Sequence, residues 1–137
     1  MKKLICVFAS IFLIISLFAA CDINTLVKLE HEEDAKLMLN YLSEGDLENA
    51  KAMMHADVED ASALEQISEY LNGRKIKDMK TLGSNKQSMI NNGVTTKQEE
   101  ATFKVTLDDD ETMTLSVLYV EDNNDRGFKT LRLALGN

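Results

Sequence analysis

Apolar residues fall into three successive patterns along this chain. From Leu4 to Phe18 the run is almost unbroken. From Ala35 the spacing becomes helical: Ala35, Met38, Leu39 and Leu42 form one stripe that Tyr41 widens, so a helix with one buried face is predicted there. Glu30, Glu32, Glu33 and Asp34 crowd its first turns, where negative charge suits the positive end of the helix dipole. Gly45 is placed to end this helix in the left-handed conformation, and Asp46 to cap the next, whose stripe is Leu47, Ala50 and Met54. Asp57 is the expected cap of a third helix carrying Val58, Ala61, Leu64, Ile67 and Leu71 and closed by Asn72-Gly73.

Beyond Ile76 the period shortens to two. Ala101, Phe103, Val105 and Leu107 alternate with polar residues, as do Met113, Leu115, Val117 and Tyr119, and then Leu131, Leu133 and Leu135. Turn signals stand at Asn92-Gly93, at Asp108 to Asp110 and at Asn123 to Gly127, so three hairpins and four antiparallel strands are predicted. The first strand is expected within Ile76 to Ile90, interrupted by Gly83-Ser84-Asn85. Helices first and strands afterwards give an α+β class, with N-terminal helices packed on a four-stranded antiparallel meander sheet.

The leading apolar run follows Met1-Lys2-Lys3 and closes on Phe18-Ala19-Ala20-Cys21, which is the layout of an export signal. With a cysteine directly after the small pair, it resembles a bacterial lipoprotein signal peptide, although Phe18 stands where that family prefers leucine. The resemblance implies cleavage before Cys21 and a lipid on Cys21. An ordinary secretory signal and an uncleaved span are the competing readings. A span needs about 20 apolar residues, which leaves little to spare before Asp22. The expected organisation is therefore a cleaved signal over 1–20, a short lipidated tether over 21–24 and one α+β domain over 25–137. Its expected place is the exported face of the cell membrane, anchored by lipid.

Loss of residues 1–20 leaves 117 of the 137 residues, enough for one modest core. Loss of Lys2 and Lys3 takes the basic residues from 15 to 13 against 23 acidic ones, a formal charge of −10. Nucleic acid and anionic lipid headgroups are poor partners for such a surface. Cys6 leaves with the signal and Cys21 is committed to lipid, so disulfides, thiolate metal sites and cysteine nucleophiles are excluded from the mature domain. No Gly/Ser/Pro stalk separates Asp22 from Leu29, which keeps the domain close to its anchor.

The mature part also resembles the nuclear-transport-factor-2-like or cystatin-like superfamily. The carrying features are the helix ending Tyr41-Leu42-Ser43-Glu44-Gly45-Asp46-Leu47, the short helices after it, and long late strands with Gly127-Phe128-Lys129. The resemblance implies helices on one face of the sheet and an aromatic near the last strand at Phe128. Enzymes of the superfamily, of the ketosteroid-isomerase or polyketide-cyclase type, hold catalytic acids inside the sheet's concave face. No inward position is plainly acidic in the alternation read above. An envelope protease inhibitor like the cystatins is a further reading, but their Gln-Val-x-Ala-Gly loop is absent.

Candidate chemistry is thin. His31-Glu32 opens like a zinc-protease helix, yet Ala35 stands where the second histidine belongs. His31 is read as a solvated first-turn residue, and His55 as a residue at the end of the second helix that suits its negative dipole. Asp122-x-Asn124 starts like a calcium loop that Arg126 and Leu133 then fail to complete. Asp108, Asp109, Asp110 and Glu111 read as a charged hairpin tip, and Arg74, Lys75, Lys77 and Lys80 as a solvated helix-to-sheet connection that complements the third helix's carboxyl end. Tyr41, Tyr70, Phe103, Tyr119 and Phe128 read as core before pocket. No catalytic, cofactor or metal residues are assigned. The functional expectation is a lipid-anchored, non-enzymatic envelope module that binds a protein or small ligand.

Overall fold

The computed structural model describes residues 31–58 and 60–136. The export signal, Cys21 and the tether lie outside the described residues. Three helices, α1 (Glu32–Glu44), α2 (Leu47–Ala52) and α3 (Ser62–Leu71), precede four strands, β1 (Ile76–Asn91), β2 (Val94–Leu107), β3 (Thr112–Glu121) and β4 (Arg126–Leu135). The strands form one antiparallel sheet in the order β1-β2-β3-β4, an open meander. No described helix is long and apolar enough to cross a membrane.

The helical stripe and the strand alternations meet in one core. Met38, Leu39 and Leu42 of α1 and Leu64 and Leu71 of α3 pack on Phe103, Leu107, Met113, Leu115 and Phe128 from the sheet, all of them fully buried. Side chains therefore fill the space between helices and sheet. Asn92 and Gly93 both take left-handed φ, 50° and 79°, the geometry of a two-residue hairpin turn that matches strand twist.

Three expectations are corrected. Gly83-Ser84-Asn85 does not interrupt the first strand: β1 runs on to Asn91, and one register shift between Thr81 and Gly83 absorbs the irregularity. The third helix begins at Ser62, not after Asp57, with the Asp60 carboxylate accepting from the Ser62 backbone N–H. Residues 55–58 are held instead as a turn, in which the Val58 N–H donates to the His55 carbonyl. Met54 leaves the second helical stripe for a bridge beside Phe128, because α2 ends at Ala52.

That bridge sets the helix-to-sheet distance. The His55 N–H donates to the Phe128 carbonyl and the Phe128 N–H to the Met53 carbonyl, both at 2.9 Å. A Cβ on Gly127 would lie 2.6 Å from the His55 nitrogen and 2.8 Å from the Met53 oxygen. Only glycine allows two backbones to approach this closely.

Candidate functional site

The two ends of the sheet hold the polar side chains that the sequence singled out. At one end β2 turns into β3 and α3 delivers Arg74; this is the turn end. At the other, which we term the arm end, the β1–β2 and β3–β4 hairpins turn and α1 begins beside Glu99.

The acidic tip and the basic connection are two halves of one cluster at the turn end. Arg74 pairs with Asp109 at 3.1 Å and with Glu111, and Lys77 pairs with Asp110. The Tyr70 hydroxyl donates to Glu111, and the Arg74 guanidinium stacks 4.8 Å over the Tyr70 ring. Arg74 also donates to the carbonyls of Tyr70 and Leu71, which completes the carboxyl end of α3. The Tyr70 hydroxyl and then Arg74 hold the Glu111 carboxyl below its ordinary range; for Asp109 the Glu111 N–H comes first and Arg74 second. Donors and acceptors match here, so the cluster is a structural joint.

His55 lies beyond the end of α2, which closes at Ala52, and is buried. Its Nδ1 accepts from the Asp57 N–H at 3.2 Å, which leaves Nε2–H to donate to Asp122 at 3.1 Å. The Asp122 carboxylate also accepts from the N–H groups of Asn124 and Asp125, and these bonds are the main reason its carboxyl lies below its ordinary value. Asp125 in turn accepts from the Ala56 N–H at 2.6 Å. His55, Asp57 and Asp122 stand close enough to suggest a cation site. In this structure both ring nitrogens are engaged within the group, Nδ1 by the Asp57 N–H and Nε2 by Asp122. The group pins the β3–β4 loop to the turn after α2.

The arm end contains the acid that the alternation did not reveal. Glu99 lies two residues before Ala101 on β2, on the same inward face, and its side chain is only 7% exposed. The expectation of no inward acid is thereby overturned. It arose from starting the strand at Ala101; carrying the period two residues back finds Glu99. Its Oε2 faces His31 Nε2 at 3.8 Å and Lys86 Nζ at 3.9 Å, beyond hydrogen-bond reach. Its Oε1 is buried with no hydrogen-bond partner.

A cavity of about 220 Å³ surrounds this carboxylate, walled by His31, Lys86, Gln98, Glu99 and Tyr119. His31 is not a loose first-turn residue. Its ring stacks on Tyr119 with centroids 3.7 Å apart and planes 15° from parallel, and its Nδ1 donates to Asp34 at 3.2 Å. Tyr119 is held from behind by the edge of Phe128, at 5.1 Å. Burial first, and then the Asp34 charge, push the Tyr119 phenol above its ordinary value, so it stays a neutral wall at physiological pH. Of the five aromatics, Phe103 and Phe128 are core, Tyr119 is both core and wall, Tyr41 packs on the core edge and Tyr70 belongs to the joint.

A larger groove of about 670 Å³ crosses the outer face of the sheet, past Thr102, Ser116 and Thr130. Its charged members, Glu100 and Arg132, are exposed to water. The chemistry therefore lies in the smaller cavity, where a desolvated acceptor waits for a donor. No family model matches the chain, and no curated protein matches it.

Proposed function

We propose that this protein is a lipid-anchored, non-enzymatic binding module of the bacterial cell envelope, tethered through Cys21 on the exported face, and that it takes its ligand at Glu99. One observation carries the binding site: the buried, unpartnered Glu99 Oε1 in a cavity that opens beside α1. Burying a carboxylate oxygen without a donor costs about 1–3 kcal/mol or more, and a ligand that brings an N–H or O–H to it recovers that cost. Gln98 on the same wall offers an amide as a second polar contact. The ligand class is thus a small polar molecule or a peptide segment with a donor at its leading end. A helix-to-sheet interior filled by Leu, Met and Phe supports binding at this rim over chemistry in a deep pocket.

The signal layout at Phe18 to Cys21 supports the anchor. Mass spectrometry of the mature amino terminus should find a lipid-modified Cys21, and Cys21→Ala should release the protein from membranes. For the ligand, a photo-cross-linking residue at Gln98 in the anchored protein should capture an adduct that one at Asp108, at the turn end, does not. Glu99→Gln should abolish that adduct. Equal capture at both positions, or capture indifferent to Glu99→Gln, would sink the assignment. The same oxygen also favours a second reading, in which Glu99 is the base of a proton-transfer enzyme of the ketosteroid-isomerase type; a captured molecule that emerges isomerised would select it.

A further inference from the structure

We infer that the β1–β2 arm is a second membrane contact of this protein, the apolar side chains beside its turn entering the surface of the lipid bilayer to which the chain is anchored. The inference rests on the lipid anchor proposed above. β3 pairs with β2 only as far as Lys97, opposite Glu121, whereas the β1–β2 ladder continues through Thr96–Met89 and Thr95–Ile90 to Val94–Asn91. Three residue pairs and a tight turn thus project beyond the sheet, about 10 Å at the rise of a strand. Large apolar side chains flank the polar Asn91-Asn92-Gly93 turn and face water: Ile90 is 77% exposed, Met89 48% and Val94 41%. Residues 86–98 contain Lys86 and Lys97 and no acid, in a chain whose net charge is −8.

The position of the chain's entry selects the occupant. α1 begins at the arm's base, where His31 faces Glu99 and Glu99 pairs in the ladder with Lys86. His31 lies ten positions after Cys21, a span of at most about 35 Å when fully extended. The end that carries the arm is therefore the end at which the chain from the anchor enters the domain. A protrusion of this length suits the boundary between headgroups and acyl chains, which interfacial elements enter by about 5–10 Å. Lys97 stands opposite Glu121 in the ladder, so the contact rests on the apolar side chains rather than on charge. A second contact fixes the orientation of the anchored domain on the bilayer. A second copy is a poorer occupant, since three tip side chains fall far short of the roughly 1,200 Å² that a stable interface buries.

The test uses the full chain, matured in its host and reconstituted into vesicles of phosphatidylethanolamine and phosphatidylglycerol. An environment-sensitive fluorophore is attached through Asn91→Cys at the tip or Asp108→Cys at the turn end. Lipids brominated on their acyl chains should quench the probe at 91 several-fold more than the probe at 108, and Met89→Asp with Ile90→Asp should remove the difference. Equal quenching at 91 and 108 in protein whose Cys21 is shown by mass spectrometry to carry lipid overturns the arm contact alone. Protein without lipid on Cys21 overturns the anchor and the arm contact with it. Cross-linking between the tips of two molecules, with no effect of brominated lipid, replaces the bilayer by a second copy and overturns the proposal as well.

Discussion

At the turn end of the sheet Arg74, Lys77, Asp109, Asp110 and Glu111 all find partners of opposite charge, although each is partly open to water. At the arm end Glu99 is shielded from water and lacks a partner for one oxygen. The first arrangement is what a fold needs for its own closure. The second costs stability, and proteins keep such groups where they act on something else. Charge density alone would have pointed to the wrong end, since the acidic run and the basic run both gather at the turn end. What distinguishes the ends is satisfaction.

The largest effect should come from the clamp that holds α2 and its following turn against the arm end. In Gly127→Ala the new Cβ meets backbone atoms of Met53, Met54 and His55, and these cannot rotate aside. The strand must withdraw and the His55–Phe128 and Phe128–Met53 bonds must stretch, so a loss of about 3 kcal/mol is expected by denaturant unfolding. Gly83→Ala, where a Cβ meets nothing within 4 Å, should change stability by less than about 0.5 kcal/mol. Equal effects at the two glycines would mean that the clamp does not set the spacing.

Next in size is a pair of substitutions that should differ in sign. Glu99→Met keeps the length of the side chain and removes the buried acceptor, so stability should rise by about 1 kcal/mol. Glu111→Met at the turn end takes the acceptor from the Tyr70 hydroxyl and one of its partners from Arg74, and should destabilise. Paired thermal melts decide it, and two losses would show that Glu99 is satisfied after all. A gain at Glu99 coupled to loss of the adduct at Gln98 is the exchange of stability for function that a binding group predicts.

Much of this contrast was legible in the residue pattern. The period change after Ile76 and the Asn92-Gly93 turn gave the element order, because an amphipathic stripe and a left-handed turn are local properties. Gly83-Ser84-Asn85 looks like a break in β1 from sequence alone, because pairing with β2 carries it through a bulge and no local signal reports a partner strand. The acidic and basic runs of the turn end were each visible, but their union depends on α3 ending opposite the β2–β3 hairpin. Glu99 was recoverable by extending one alternation. The orphaned oxygen was not, since it depends on where His31 and Lys86 stop short, and those distances arise only in three dimensions.

The smallest expected effect concerns the turn end in acid. Asp109 and Glu111 are held below their ordinary values by the Glu111 N–H, the Tyr70 hydroxyl and Arg74. A carboxyl whose folded pKa is depressed lends stability that is present above its unfolded value, near 4 for these groups, and lost as pH falls through the folded one. The joint should therefore be intact at neutral pH and should loosen only below that ordinary carboxylate range. Asp109→Asn with Glu111→Gln should lower stability at pH 7 and flatten the acid limb of the stability profile. Because both groups are partly exposed, salt should shrink the difference between the two profiles. An acid limb unchanged by the double substitution would mean that the turn end, for all its paired charge, contributes no more to folding than the open arm end does.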